Sequence, residues 1–387
     1  MATRPWRRPM QARHTHEEHR ASTPLELLFD LCFVVAVAQA STNLHHALTA
    51  GELGKAVTSY PAVFFAIWWA WMNFTWFASA YDNDDALYRV VVLVEIAGAL
   101  ILAAGVPRAF ANEEWGIVTL GYAVMRLALV TQWLRAARED PGHRATDIRY
   151  AVGVGVLMVA WGLRLLLPSG WADVAFVVLI VAELLVPVWA ERAGATTWNA
   201  RHIVERYGLF TLIVLGESVL SATLAIQSAI DAGQALGDLV GIAVGGLLIV
   251  FSMWWLYFAQ PAEDLLARAR DQFGITSSHE SFVWGYGHYV VFSSAAAVGA
   301  GIGVAVDQAG HHAELSARGA ALTVAIPVAL FLLSVWVLHL GTSARGPVRR
   351  AVPFVAALLV GLAAVGAPVV VLGLVLAGLL AADTALT

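Results

Sequence analysis

The sequence has few charged residues and a single cysteine. Asp, Glu, Lys and Arg make up 13% of the 387 residues, whereas a typical soluble domain carries ~25%. An ordinary soluble fold is therefore excluded. Cys32 has no second cysteine with which to pair, and this excludes an internal disulfide and a metal cluster built from cysteines.

Several motifs of catalysis and targeting are also missing. HExxH, P-loop and GxSxG elements do not occur, so we predict no metal, no cofactor and no ATP-driven transport by this chain alone. Their absence weighs against an enzyme without excluding one. Basic residues are spread over short loops, which predicts no nucleic-acid partner. Residues 1–22 lack the apolar core of ~7–15 residues that a signal peptide needs, so we expect a cytoplasmic tail before an uncleaved helix.

Long apolar runs dominate what remains. Hydrophobic residues make up 59% of the chain, and a spanning helix needs ~20 mostly apolar residues. Pro368 divides the run 352–382, which favours two short helices there, although a count of eleven helices stays open. The sequence thus predicts an all-α, polytopic membrane bundle of about twelve helices. The spans before this run are 25–46, 59–80, 88–106, 115–134, 148–167, 171–190, 203–225, 235–259, 282–304 and 320–340.

The distribution of basic residues predicts the orientation in the membrane. With a cytoplasmic N-terminus, 18 of the 23 Lys and Arg residues fall on cytoplasmic segments and four on outer segments, and Arg126 lies inside the fourth span. Basic residues accumulate in the cytoplasmic loops of membrane proteins. We therefore predict a protein of the cell (inner, cytoplasmic) membrane whose partner is the lipid bilayer, and homo-oligomer formation is left open.

Two similar segments indicate an internal repeat. DDALYR (84–89) and EDLLAR (263–268) each follow an aromatic stretch, and the same shift of 179 residues aligns Glu26 with Glu205. Six spans separate the partners, so both halves would have the same orientation, as in transporters with parallel repeats. Chance similarity between apolar helices is the alternative. The predicted division is a tail at 1–22 and six-helix repeats at 23–195 and 196–387.

Ionisable side chains within the predicted spans are the candidate site residues. A charged residue at a helix centre costs ~2.5–3.5 kcal/mol on insertion scales, so each must face the bundle interior, a partner or water. Such residues mark ion paths and proton relays in membrane proteins. The candidates for transport or proton handling are Glu26, Asp30, Glu95, Arg126, Glu183, Glu205, Glu217 and His288.

The stretch TPLELLFD contains two of these acids at the start of the first span. Glu26 follows Thr23 by three residues, which is the spacing of a capping box, so helix capping is an alternative to a transport role. Asp30 lies one turn deeper, ~6 Å along the axis, where it cannot cap the helix. For Asp30 we predict either an ion pair, with Arg89 or Arg206, or a role in handling ions or protons.

The remaining candidates also have two interpretations. Glu205, with His202 and Arg206 beside it, is either a transport or proton-handling residue or a member of a local ion pair. Glu217, in VLGESVL, is either a protonatable carboxyl for proton-coupled transport or a neutral acid bonded between helices. Arg126 is expected to neutralise one of the buried acids, and His288 is either a titratable group or a satisfied core histidine.

Two stretches resemble a known family. TPLELLFDLCFVVAVAQAS (23–41) and RHIVERYGLFTLIVLGESVL (201–220), together with HESFVWGYGHYVVF (279–292), are similar to the bacterial low temperature requirement A (LtrA) family. The resemblance extends over most of the chain. It implies a polytopic membrane protein that is associated by name with growth in the cold, and it implies no defined reaction or substrate.

The first span also resembles another family. ELLFDLCFVVA (26–36) is similar to the first helix of potassium channels of endolysosomes and bacteria that are built from six-helix units. Asp30 occupies the place of the aspartate in their Phe-Ser-Asp motif, whereas Leu28 and Phe29 replace its Phe-Ser. The likeness implies a six-helix unit for ion conduction, and potassium selectivity does not carry over.

These features favour a transporter or channel for an unknown small ion or solute, proton-linked in one version. Its path would lie between the two repeats, near the first and seventh spans. An intramembrane enzyme acting on a lipid-type substrate is one alternative, for which the acids of DNDD (82–85) come nearest to a metal-binding cluster. A membrane sensor or scaffold without transport activity is the other alternative.

Overall fold

A computed structural model describes residues 6–13, 21–259, 278–340 and 347–386, and all regular secondary structure in these ranges is helical. Twelve helices occur in this part of the chain, one for each predicted span. Their bounds are α1 (Pro24–Thr49), α2 (Leu53–Tyr81), α3 (Ala86–Asn112), α4 (Gly116–Glu139), α5 (Arg144–Arg164), α6 (Ser169–Glu191), α7 (Ala200–Asp231), α8 (Leu236–Phe258), α9 (Ser278–Ala309), α10 (Ala317–Val335, continued by a π-helical turn at Trp336–Leu340), α11 (Pro347–Ala364) and α12 (Val369–Leu386).

Most of these helices have the length and composition of membrane spans. Nine of the helices in the described ranges are long and apolar enough to cross a bilayer, and the others are α2, α11 and α12. On α6, the apolar side chains of Val177, Val181 and Leu185 are 51–62% exposed, as expected for side chains that contact lipid rather than water. The chain is an integral, multi-pass helical membrane protein, which confirms the predicted fold class.

The C-terminal apolar run divides where the sequence predicts. Helix α11 ends at Ala364 and α12 begins at Val369. Between them Gly366 has a φ of +85°, a conformation that glycine adopts without steric strain. Pro368 lacks the N–H that a continuing helix would use. The prediction of two short helices in this run is confirmed.

Contacts divide the described residues into two compact units. Unit 1 consists of residues 6–13, 21–36, 65–207 and 278–281, and unit 2 of residues 37–64, 208–259, 282–340 and 347–386. Helices α1, α2, α7 and α9 are therefore each divided between the two units. This contact-based division does not test the predicted repeats at 23–195 and 196–387, and residues 263–268 lie outside the described ranges, so the internal repeat stays a prediction.

Close helix packing within unit 1 depends on glycine. A Cβ on Gly121 of α4 would lie 2.3 Å from the backbone nitrogen of Leu102 and 2.6 Å from the carbonyl oxygen of Gly98, both on α3. Small residues allow such approaches between membrane helices. Trp69 and Trp71 of α2 are fully buried in the same unit. These two aromatic side chains therefore belong to the interior and not to an interfacial belt.

In unit 2, α9 is the central helix. Of its most apolar window, 83% is buried inside the protein, far more than a helix with one lipid-facing side would bury. Helix α8 packs against α12 through Gly245, where a Cβ would lie 2.5 Å from the backbone nitrogen of Val370. Unit 2 is thus held together by backbone-to-backbone approach around a buried helix.

Part of the predicted tail belongs to the folded protein. The backbone N–H of Arg8 donates to Asp85 Oδ2 at 2.7 Å, and that of Met10 donates to Glu139 Oε2 at 2.5 Å. Arg135 also forms an ion pair with Asp85. The Met10 side chain is fully buried. Residues 6–13 therefore form an extended clasp over the ends of helices in unit 1.

Candidate functional site

The start of α1 fixes the first acid of the candidate site. The Thr23 N–H donates to Glu26 Oε2 at 2.8 Å, and the Glu26 N–H donates to Thr23 Oγ1 at 3.3 Å. This is the reciprocal geometry of a capping box. One oxygen of Glu26 is thus used for capping, and the other, Oε1, is available to α7. Asp30 lies one turn further along the same face of α1.

The start of α7 supplies the basic side chains that meet these acids. Asn199 Oδ1 accepts the N–H of His202 at 3.2 Å, which caps the helix. His202 and Arg206 are four residues apart and therefore share a helix face. His202 Nε2 and Arg206 Nη1 each lie 3.1 Å from Glu26 Oε1. The capping acid is thus also a member of an ion-pair cluster.

Asp30 forms a two-pronged ion pair with Arg206. Arg206 Nε donates to Asp30 Oδ2 at 3.0 Å, and Nη2 donates to Oδ1 at 2.6 Å. The indole Nε1 of Trp71 adds a third bond to Asp30 Oδ1 at 2.7 Å. Of the two arginines considered from the sequence, Arg206 is the partner, because Arg89 binds Asp84 at 2.6 Å. Asp30 is therefore held rigidly on both sides.

Glu26, Asp30, His202 and Arg206 together form what we call the α1–α7 tetrad. All four side chains are fully buried, with 0% exposure. Counted within the tetrad, two carboxylates and one guanidinium give a net charge of −1 when the imidazole is neutral, and zero when it is protonated. Tyr88 of α3 also acts electrostatically on Arg206. Because unbalanced charge is costly in a low-dielectric interior, proton binding changes the energy of this site strongly.

A second buried ion pair lies elsewhere in unit 1. Arg126 Nη2 is 2.9 Å from Glu183 Oε2. The indole of Trp69 donates to the same oxygen at 2.8 Å, and that of Trp161 donates to Oε1 at 3.1 Å. Asn73 Oδ1 accepts from Arg126 Nη1 at 3.1 Å. Arg126 thus neutralises a buried acid, as the sequence predicts, and the acid is Glu183.

Glu95 lies beside this second pair but is not bonded to it. Its side chain is 2% exposed, and neither carboxylate oxygen has a hydrogen-bond partner among the described residues. The side-chain amide of Gln132 is the polar group that interacts with this carboxyl, without reaching hydrogen-bond geometry, and Arg126 acts on it as a charge. A buried carboxyl without partners is uncommon in proteins and calls for an explanation.

Glu205 is the candidate that points away from the tetrad. Its side chain is exposed, and Oε1 accepts the backbone N–H of Ser22 at 3.1 Å. The expected ion pairs on α7 are instead made by its neighbours His202 and Arg206. Glu205→Gln is therefore a suitable control variant, because Glu205 is close in sequence to His202 and Arg206 but lies outside the buried cluster.

Unit 2 contains the other two candidates. Glu217 is 3% exposed, and Ser221 Oγ donates to its Oε1 at 2.5 Å. His288 is fully buried, with Nδ1 2.8 Å from the Trp284 carbonyl oxygen and Nε2 3.2 Å from the Tyr257 hydroxyl. The surroundings of His288 are those of a core histidine with a partner at each ring nitrogen.

The acids of residues 82–85 have local structural contacts. Asp82 Oδ1 accepts the N–H of Asp84 at 2.9 Å, and Asp85 Oδ1 accepts the N–H of Tyr88 at 2.7 Å as the N-cap of α3. Across the described ranges, no group of three or more His, Cys, Asp or Glu side chains is placed to hold a metal ion. These acids therefore stabilise a helix start.

Sequence reasoning missed the indole groups that serve both ion pairs. Trp69 and Trp71 lie within WWAWMNFTWF, the aromatic stretch that precedes DDALYR. A tryptophan buried inside a helix bundle needs an acceptor for its N–H. The carboxylates of the neighbouring spans were the available acceptors. The presence of both buried tryptophans and buried acids in the spans was therefore the feature of the sequence that indicated these hydrogen bonds.

Two comparisons identify relatives. A family model described as "Bacterial low temperature requirement A protein (LtrA)" matches residues 21–384, which include the stretches that carry the resemblance. The chain is also similar to an uncharacterized protein of Rhizobium meliloti (strain 1021). The two are 27% identical over 307 residues, which cover 74% of this chain and 71% of the relative.

Proposed function

The chain belongs to the bacterial low temperature requirement A (LtrA) family, and we propose that it moves a small ion across the membrane in a proton-linked cycle. The observation that carries this proposal is the α1–α7 tetrad, in which a fully buried imidazole lies 3.1 Å from a fully buried carboxylate. Histidine changes charge near neutral pH, and a buried ionisable cluster in a membrane bundle is a typical proton or ion site.

The four side chains would have different roles in this cycle. Glu26 and His202 would exchange the proton, because Glu26 keeps one oxygen for the imidazole. Asp30 would act as a positioning residue, since its bonds to Arg206 at 2.6 and 3.0 Å orient the guanidinium. Loss of the proton would leave a net −1 within the tetrad, and this charge would attract a cation from the adjoining aqueous side.

The location of the tetrad fits an ion entrance. Glu26 lies in the first turn of α1 and His202 in the first turn of α7, where the free N–H groups and helix dipoles favour negative charge. The basic-residue distribution predicts that these helix starts face the cytoplasm. The proposal therefore includes a cytoplasmic N-terminus, the inner membrane as the location, and a path along α1 and α7, the first helices of the two predicted repeats.

Ion flux in proteoliposomes tests the proposal. Purified protein would be reconstituted with a pH-sensitive dye inside, and monovalent cation gradients would be imposed across the membrane. We expect cation-dependent proton movement in the wild type, and at least a tenfold lower rate for Glu26→Gln and His202→Gln, a loss of ~1.4 kcal/mol or more. Glu205→Gln, an exposed acid on the same helix, should retain the wild-type rate.

Two results would contradict the proposal. Wild-type protein that moves neither protons nor any monovalent cation would exclude transport of this kind. Folded Glu26→Gln and His202→Gln proteins with wild-type flux would show that the tetrad is only structural.

A further inference from the structure

Unit 1 contains a small cavity beside Glu95. Its volume is about 10 Å³, and its polar lining comes from Asn73, Glu95 and Arg126. A single water needs ~10–15 Å³ of such volume and two to four polar partners. The cavity therefore has the size and the lining for one water molecule, whereas a larger solute would not fit.

Polar atoms around this cavity have unused bonding capacity. Glu95 and Arg126 both line the cavity, and the two oxygens of Glu95 and the Nε of Arg126 lack a partner in hydrogen-bond geometry within the described part of the chain. The set contains both donors and acceptors. One water could accept from a donor and donate to the Glu95 carboxyl, which would satisfy several of these atoms at once.

The charges around Glu95 are unequal in number. Arg126 is already paired with Glu183 at 2.9 Å, and the indoles of Trp69 and Trp161 stabilise Glu183 as the ionised partner. The other polar groups that face this region from neighbouring helices, Asn73, Gln132 and Tyr122, are neutral. Two carboxyl groups thus lie near one guanidinium, and Arg126 is bonded to Glu183 and not to Glu95.

We propose that Glu95 is a proton-binding site: its carboxyl carries the proton and shares one internal water in this cavity. Its role as a relay in transport rests on the function proposed above, whereas the proton-binding site itself does not. The ligand is a proton, because the carboxyl is buried, has no cation of its own among the described residues, and adjoins space for only one water.

An aromatic pair separates this site from the α1–α7 tetrad. Phe29 and Phe74 both line the cavity, and their ring centroids are 3.9 Å apart. Phe29 directly precedes Asp30, and the Arg206 guanidinium lies 5.9 Å from the Phe74 ring. Phe74 is therefore the side chain that contacts both the cavity and the Arg206 guanidinium of the tetrad.

Infrared difference spectroscopy of the full-length protein in detergent tests the site without any transport assay. Subtracting the Glu95→Gln spectrum from the wild-type spectrum at neutral pH should leave the C=O band of a protonated carboxylic acid. The thermal unfolding midpoint of the Glu95→Gln variant should match that of the wild-type protein, because glutamine resembles the neutral acid. A difference in the carboxylate bands instead, with a lowered midpoint, would mean that Glu95 is ionised and would overturn the proposal.

A second variant tests the water. Ala70 also lines the cavity, and Ala70→Val adds two methyl groups that would fill the space. We expect the Glu95 acid band to persist but to shift to higher frequency, since the carboxyl loses a hydrogen bond. An unshifted band would contradict the shared water. The Glu205→Gln control should leave the acid band unchanged in intensity and position.

Flux measurements separate this inference from the proposed function. If Glu95→Gln removes the acid band and lowers proton flux at least tenfold, the site is part of the path. If the band disappears but flux is unchanged, proton binding at Glu95 stands and its role as a relay is refuted. If wild-type protein shows no flux, the transport proposal fails while the infrared result still decides the site.

Discussion

Replacing Arg206 by Met should destabilise the protein more than replacing its partner Asp30 by Asn, although the two side chains form one ion pair. Arg206→Met leaves the carboxylates of Glu26 and Asp30 buried with only one imidazole to balance them. Removing one partner of a buried ion pair costs ~3–5 kcal/mol. Both acids are 0% exposed, so water cannot compensate, and we expect a loss in this range.

Asp30→Asn has a smaller expected effect. The carboxylate oxygens accept three bonds, two from Arg206 and one from Trp71, and asparagine can still accept from the indole. Arg206 keeps Glu26 as an anionic neighbour at 3.1 Å, and a neutral His202 then balances the remaining charges. Loss of charge-assisted hydrogen bonds is worth ~1.5–3 kcal/mol, which is the loss in stability that we expect.

A double variant tests the charge argument directly. Asp30→Leu with Arg206→Met leaves Glu26 and a protonated His202, which balance each other, and it fills the space with apolar groups. Replacing both partners of a buried pair is often close to neutral. The double variant should therefore be more stable than Arg206→Met alone, by up to the ~3–5 kcal/mol that the single substitution costs.

Equilibrium unfolding of the purified protein in mixed micelles with increasing denaturing detergent measures these differences. Helix content and tryptophan fluorescence should report the same transition, so that the free energies can be compared. If Asp30→Asn is as destabilising as Arg206→Met, or if the double variant is no more stable than Arg206→Met alone, the account of the tetrad as a charge-balanced unit is wrong.

Two further predictions concern packing and the N-terminal clasp. Gly121→Ala should destabilise by ~1–3 kcal/mol in the same assay, because its Cβ would meet the α3 backbone at 2.3 Å. The control Gly162→Ala has no atom within 4 Å of the new Cβ and should be neutral or stabilising by up to ~1 kcal/mol; equal effects would refute the close crossing. Burial raises the pKa of Asp85, but hydrogen bonds from Arg135 and backbone N–H groups outweigh it, so the pKa is lowered. At pH values above its unfolded-state pKa of ~3.9, the Asp85 carboxylate should therefore hold residues 6–13 in place. It should release them as the pH falls through its lower, folded-state pKa. Hydrogen-exchange protection of this segment should fall in acid, and Asp85→Asn should lose it already at pH 7; unchanged protection in that variant would contradict the clasp.

The helices were predictable from the sequence because local composition determines them. A membrane helix satisfies its own backbone groups and needs only a sufficient apolar length, and the break near Pro368 follows from the chemistry of one residue. The start of α1 was also predictable, since the Thr23–Glu26 capping box is a contact over three residues. These features require no knowledge of how the helices pack.

Long-range partners were harder to predict, since helix packing determines them. Asp30 and Arg206 are separated by 176 positions, and the sequence left Arg89 as an equal choice. The pairing of Arg126 with Glu183 rather than Glu95 could not be predicted for the same reason, because several acids lie within the spans as possible partners. His202 contacts Glu26 at 3.1 Å because it lies four residues before Arg206 and so shares the face of α7 that packs against α1.

Helix α2 donates hydrogen bonds to both buried ion pairs. Residues two apart on a helix are separated by about 200°, so Trp69 and Trp71 face nearly opposite sides. Trp69 donates to Glu183 while Trp71 donates to Asp30.

The next turn of α2 repeats this arrangement. Asn73, four residues after Trp69, accepts from Arg126, and Thr75, four residues after Trp71, accepts from Arg206. Each face of α2 thus carries one indole donor for a carboxylate and one acceptor for the paired arginine. A rotation or shift of α2 would therefore change the hydrogen bonds of both ion pairs together.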